Sequence, residues 1–151
     1  MTDTTPAAAL PAIVPCASCG KLNRVDFARV DHNPKCGVCG QPLVLDQPLA
    51  LTDATFARVI RDASVPVMVD FYADWCGPCR MMAPAYAELA RKFAGQALIV
   101  KLDTEHNQVT ASQLGIRGIP TVIVFRDGKE AKRQVGALPL QGLEQVLKSA
   151  M

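Results

Sequence analysis

The chain has 151 residues, half of them apolar, with a formal charge of +2 and six cysteines. That length holds one ordinary domain and a small appendage. The near-balanced charge gives no reason to expect a nucleic acid partner, and no run approaches the roughly 20 apolar residues of a membrane span. No basic residue precedes Ala7-Ala8-Ala9-Leu10, so the start does not read as a secretion signal. The expectation is a cytoplasmic protein whose cysteines work reduced or metal-bound.

Residues 1–15 are rich in Thr, Ala and Pro without a period, and read as a flexible leader. Next come two Cys-x-x-Cys-Gly units, Cys16-Ala17-Ser18-Cys19-Gly20 and Cys36-Gly37-Val38-Cys39-Gly40, with sixteen residues between Cys19 and Cys36. Four thiolates in two close pairs suit a tetrahedral Zn²⁺ site with no open position, which makes it structural rather than catalytic. The glycine after each second cysteine permits the positive φ of a tight turn. Between the units, Val25 and Phe27 alternate with charged residues as in a short half-buried strand, and Asp31-His32-Asn33-Pro34 reads as a turn. His32 is a turn residue on this reading, since four sulfurs already fill the shell. So few apolar residues leave the metal to supply the folding energy. Disulfides, or two further redox pairs, are the alternatives. Residues 16–47 form this segment; 41–50, with two prolines, is a stiff connector, and a main domain follows over 48–151.

In the main domain Thr52 suits the N-cap of a helix carrying Phe56, Val59 and Ile60. Residues 66–72 are an apolar, β-branched strand, and Met82, Ala85, Leu89 and Phe93 recur at helical spacing after it, with a kink expected at Pro84. A strand over 97–103, a short helix over 108–114, a strand over 121–126, a turn at Asp127-Gly128, an edge strand over 130–135 and a closing helix over 140–150 complete the order. This is an α/β layer arrangement with helices on both sheet faces.

Asp74-Trp75-Cys76-Gly77-Pro78-Cys79-Arg80 falls where the first strand gives way to a helix. Pro78 suits the first helical turn, so Cys76 lies at a helix N-terminus among unpaired N–H groups, where a thiolate is favoured. Cys76 fits the attacking thiol of thiol–disulfide exchange, and Cys79, one turn on, the resolving thiol. A structural disulfide or a two-ligand metal fragment is the alternative. Asp70 sits within a strand whose faces are both apolar, so it is expected to be buried with a raised pKa. It is a candidate general base for Cys79, against the plainer role of a hydrogen-bonded buried acid.

The stretch from Val69 to Arg80 resembles the active-site stretch of thioredoxins, and Lys101-Leu102-Asp103, Gly115 to Thr121, Phe125, Asp127-Gly128 and Val135-Gly136-Ala137 match in the family's order. The resemblance covers about residues 48–151. The N-terminal cysteines resemble those of bacterial thioredoxins carrying an extra zinc-binding segment. It implies a thioredoxin fold, a mixed central sheet with helices on both faces, preceded by a small zinc-ribbon-like domain. It implies the same base role for Asp70, with Lys101 near it on the neighbouring strand, although a solvated lysine is also open. It further implies a cis bond before Pro120, close to the cysteine pair. Gly118 and Ile119 would then offer backbone groups to an extended substrate peptide, with Trp75, Gly77 and Pro78 beside it and Gly136 allowing close approach. Gly136 as a plain end-of-strand turn is the alternative.

The function implied is a monomeric protein-disulfide reductase that accepts oxidised substrate proteins. It would itself be reduced by an NADPH-dependent flavoprotein reductase, this chain having no Gly-x-Gly-x-x-Gly loop and no organic cofactor. Three alternatives stand beside it: an oxidase or isomerase; a zinc-dependent binding module on a carrier domain; and a redox-sensing zinc site. Residues 1–50 carry four basic side chains (Lys21, Arg24, Arg29, Lys35) and four acidic ones (Asp3, Asp26, Asp31, Asp46), which argues against a phosphate-binding patch.

Overall fold

A computed structural model describes residues 9–151. Strand β1 (Pro11–Pro15) pairs antiparallel with β2 (Leu22–Asp26), and a short 3-10 helix (Phe27–His32) follows. The leader expected over 1–15 is thereby corrected for its last part, while residues 1–8 lie outside the described residues. Ala12, Ile13 and Val14 are buried, and the two prolines stand at the strand's ends, where a missing N–H is tolerated. Pro11 also accepts the N–H of Ser64 through its carbonyl, at 2.8 Å. Phe27 opens the 3-10 turn instead of ending a strand, because Asp26 caps it by accepting the Ala28 N–H.

Strand β3 (Leu49–Leu51) takes up the end of the expected connector. Helix α1 (Phe56–Arg61) has Thr55, not Thr52, as its N-cap. Thr52 instead starts the turn before it: its N–H donates to Thr55 Oγ1 and its carbonyl accepts the N–H groups of Thr55 and Phe56. Strand β4 (Val67–Tyr72), helix α2 (Gly77–Lys92), strand β5 (Leu98–Asp103), helix α3 (Gln108–Gln113), strands β6 (Thr121–Arg126) and β7 (Lys129–Val135), and helix α4 (Leu140–Ser149) follow. Helix α2 continues through Pro84.

The main sheet has the order β3-β5-β4-β6-β7, with β3, β5 and β4 parallel, β6 antiparallel to β4, and β7 antiparallel to β6. Period-two alternation sends Met68, Ile99, Val122 and Val124 to one face, packed by Tyr86 and Leu89 of α2 and Leu143 and Leu147 of α4. Tyr86 pins α2 to the sheet: its hydroxyl lies 3.0 Å from the Met68 carbonyl and 2.6 Å from that of Val100. The other face, with Val67, Val69, Phe71, Val100 and Ile123, packs on Val59 and Ile60 of α1.

That second core does not stop at the main domain. Ala12, Val14, Cys16, Val25, Phe27, Cys36 and Leu43 belong to the same cluster as Leu49 and Leu51. The N-terminal segment is therefore docked by shared apolar burial, and a metal is not its sole source of folding energy. Asp53 ties the β3–α1 turn to α3: its carboxylate accepts the N–H groups of Val109 (3.3 Å) and Thr110 (2.8 Å), a cap supplied from a distant stretch of chain.

Candidate functional site

The parallel order carries the carboxyl ends of β4 and β5 to one end of the sheet, and β4 runs there into Ala73-Asp74-Trp75 before α2 begins. Cys76 is the N-cap of α2, with extended backbone (φ −81°, ψ 114°), and its sulfur accepts the Cys79 N–H at 3.2 Å. Cys76 and Cys79 form a disulfide with Cα atoms 5.2 Å apart. One helical turn is what brings the second sulfur back over the first. N–H groups of the first turn would stabilise a thiolate on Cys76 after reduction. In this disulfide state Cys76 is only 4% exposed, packed with Ala73, Cys79, Tyr72 and Ile119. Trp75 beside it is 66% exposed, and Gly77 leaves open space where a Cβ would stand.

The Ile119–Pro120 bond is cis, and the Ile119 carbonyl oxygen lies 3.7 Å from Cys76 Sγ. Gly136 donates its N–H to the Pro120 carbonyl (2.8 Å) with φ at +100°, a backbone that a side chain disfavours. Gly118 lies against Val135: a Cβ there would stand 3.1 Å from its Cγ1. Trp75, Gly77, Pro78, Gly118, Ile119, Pro120 and Gly136, from three separate stretches of chain, thus gather around the disulfide.

Asp70 lies beneath this rim. It is 6% exposed, and its Oδ1 has no hydrogen-bond partner. Loss of water raises its pKa to about 7, with the nearby Lys101 charge opposing the shift. Lys101 is its register partner on β5, and the ammonium sits over the Tyr72 ring, 5.6 Å from the centroid. A cavity of about 340 Å³ touches Asp70, Lys101, Tyr72 and Cys79 together. The acid thus shares a space with the second cysteine, roomy enough for water between them.

The other four cysteines form a separate cluster. The sulfurs of Cys16, Cys19, Cys36 and Cys39 all lie within 4.8 Å of one another, with Cys16 to Cys39 and Cys19 to Cys36 at 3.6 Å. Each Cys-x-x-Cys unit closes a matched turn. Gly20 and Gly40 both have φ of +77° and donate N–H groups to the Cys16 and Cys36 carbonyls, at 2.8 and 3.0 Å. The N–H groups of Cys39 and Val38 and the Asn23 amide draw the Cys36 thiol down to about 6, which favours the thiolate a metal needs. Four convergent soft donors fit a metal ion.

Asn23 is the residue sequence reasoning missed. Its Nδ2 reaches Cys36 Sγ (3.5 Å) and the Lys21 carbonyl (3.1 Å), while its Oδ1 accepts the Gly37 N–H (2.9 Å). It links one knuckle to the other. An asparagine in a strand, where that residue is depleted, was the available signal. Tyr72, under the Lys101 ammonium, was missed as well, because an aromatic on a strand reads as plain core. His32 is exposed and outside the cluster.

The comparisons with known proteins agree with this geometry. The family model described as Thioredoxin matches residues 47–149, and a zinc-ribbon model described as Thioredoxin 2, N-terminal, matches residues 15–41. "Thioredoxin 1" of Synechococcus elongatus is 48% identical over 98 residues, which is 65% of this chain and 92% of that protein. "Thioredoxin C-3" of Corynebacterium nephridii is 38% identical over 135 residues, 89% of this chain and 92% of its own length. Dithiol–disulfide exchange through Cys76 and Cys79 is the activity of this protein-disulfide oxidoreductase, and reductases and disulfide substrates are its general partners. The chain belongs to the thioredoxin family, with a zinc-ribbon segment of the thioredoxin 2 type at its N-terminus.

Proposed function

We propose that this chain is a monomeric cytoplasmic reductant of protein disulfides, with a redox domain over 48–151 and one structural Zn²⁺ held by Cys16, Cys19, Cys36 and Cys39 in the segment 16–47. Its electrons come from an NADPH-dependent flavoprotein reductase. Among the described residues no helix is long and apolar enough to cross a membrane.

The Cys76 thiolate attacks one sulfur of the substrate disulfide, and the other substrate sulfur leaves as a thiolate. Cys79 then attacks the Cys76 sulfur, expelling the second substrate thiolate and leaving the Cys76–Cys79 disulfide. Cys79 has to lose a proton to do so. Asp70 takes it through water in the shared cavity, and Lys101 steadies the carboxylate before that transfer. Substrate lies extended over Gly118, Ile119 and Pro120, flanked by Trp75, Gly77, Pro78 and Gly136. A tetrahedral Zn(Cys)₄ site suits these sulfurs: Zn–S bonds near 2.3 Å separate sulfurs by about 3.8 Å, close to the two pairs at 3.6 Å.

The observation that carries the proton step is one carboxylate oxygen with no partner, buried, in a cavity that reaches Cys79. The test is Asp70→Asn with rapid-mixing kinetics on a disulfide substrate. Release from the mixed disulfide should slow about 10²-fold while its formation stays near the wild-type rate. Equal slowing of both steps, or of neither, would remove Asp70 from the proton path.

A further inference from the structure

The four N-terminal sulfurs differ in exposure: Cys16 and Cys36 are buried, Cys19 and Cys39 exposed. Two sulfur pairs, both at 3.6 Å, cross between the knuckles, and each joins a buried cysteine to an exposed one: Cys16 with Cys39, and Cys36 with Cys19. Every sulfur meets a backbone N–H, that of Lys21 at Cys19 and that of Gln41 at Cys39, and the buried sulfurs meet more donors than the exposed ones. Backbone N–H groups of Cys19 and Ser18 face Cys16, while those of Cys39 and Val38 and the Asn23 amide face Cys36.

That is the arrangement of a substrate for thiol–disulfide exchange. A disulfide across either pair would offer an open sulfur to attack and a buried sulfur whose departing negative charge is already met by donors. We propose that, after a peroxide has oxidised the cluster, the Cys76–Cys79 dithiol of a second copy of this chain reduces it and restores the metal site. The proposal rests on the reductase and metal-site readings above.

The steps balance. Each peroxide removes two electrons from one sulfur pair, is itself reduced to water, and leaves one disulfide; two such events strip the metal of its ligands. The Cys76 thiolate of the second copy attacks Cys39 Sγ. The Cys16–Cys39 bond breaks and its electron pair leaves on Cys16 Sγ. Cys79 gives up its proton and attacks Cys76 Sγ, and Cys39 leaves as a thiolate. One dithiol has become one disulfide and the cluster has regained one pair. A second dithiol does the same at Cys19–Cys36, and four thiolates rebind the metal.

Two observations make a second copy the donor. Within one chain, Cys16 and Cys36 are fixed in the sheet's core while Cys76 and Cys79 sit in a separate small cluster with Ala73, so the two sets have no sulfur contact. Each set also has an exposed apolar neighbour suited to the other: Val38, 69% exposed, precedes Cys39, and Trp75, 66% exposed, precedes Cys76. Docking Val38 against Trp75 brings the attacked and attacking sulfurs together and makes Cys39 the first target.

The test uses two full-length chains. An isotope-labelled Cys76→Ser/Cys79→Ser chain is loaded with zinc, oxidised with hydrogen peroxide and freed of both reagents. Reduced wild type, the sole electron source, is then added, and free thiols on the labelled chain are counted by alkylation and intact mass. All four cluster thiols should return, and added zinc should be taken up again. A reduced Cys79→Ser donor should trap a mixed disulfide that maps to Cys39 or Cys19. A labelled chain that stays oxidised, while the same donor preparation reduces insulin, would overturn the proposal and leave the reductase reading intact. Trapping on Cys16 or Cys36 would overturn it too. A donor that also fails on insulin would remove the proposal together with the reductase reading.

Discussion

The chain uses the Cys-x-x-Cys spacing three times and sends it to two different chemistries. At Cys16–Cys19 and Cys36–Cys39 the chain turns back at once: Gly20 and Gly40 adopt positive φ, and the N–H groups of Cys16 and Cys36 pair with the Lys21 and Gln41 carbonyls. The sulfurs then converge as four, with their charge suited to a cation. At Cys76–Cys79 the chain continues into α2, so the two sulfurs bond to each other at a helix terminus. Identical spacing therefore says little by itself. The path of the backbone beyond the second cysteine, a tight turn or a helix, decides whether a pair is shaped to hold metal or to exchange electrons.

Metal removal should separate the two regions most widely. The structural zinc proposed above would contribute on the order of 10 kcal/mol. Chelation should open residues 16–47 to proteolysis while the main domain keeps its α2 and sheet, since the shared apolar core alone must then hold the segment. Hydrogen exchange would check this; equal loss of protection in both regions would mean that they fold as one unit.

Asp70 gives the next effect. Burial raises its pKa to about 7, from about 3.9 in an unfolded chain, so the native state binds the extra proton between those values. Stability is then lost as pH rises from about 4 through 7, by up to about 4 kcal/mol. Asp70→Asn should remove that loss, leaving the variant more stable than wild type at pH 8 and nearly equal at pH 4 in denaturant titrations. A gain independent of pH would show that relief of the buried charge is not its cause.

A smaller effect belongs to the frame. Asp53→Ala should cost about 1–2 kcal/mol by leaving the Val109 and Thr110 N–H groups at the start of α3 uncapped. It should leave metal content unchanged, and thermal unfolding would measure it.

Much of this contrast was legible in the residues. The strand over Val67–Tyr72, the junction at Cys76, the burial of Asp70 and the four-cysteine set each follow from local pattern: period, cap chemistry and spacing. The parts that were not legible depend on packing between distant stretches. Pro11–Pro15 reads as a loose tail until β2 and α1 are there to cover Ala12 and Val14. Thr52 looks like a helix cap because its competitor, Thr55, is the same residue type three positions later. Asn23 carries no signature for a role that exists only once the two knuckles face each other. The Asp70–Lys101 register is a fact of strand order, which the family resemblance supplied and the residues alone did not.

The most direct test of the division between the six sulfurs pairs two serine variants, Cys76→Ser and Cys36→Ser, with zinc content and insulin-reduction turnover measured on the same preparations. Cys76→Ser should keep its zinc and fall to the uncatalysed rate; Cys36→Ser should lose zinc and still turn over. Continued turnover by Cys76→Ser, or retained stoichiometric zinc in Cys36→Ser, would contradict it.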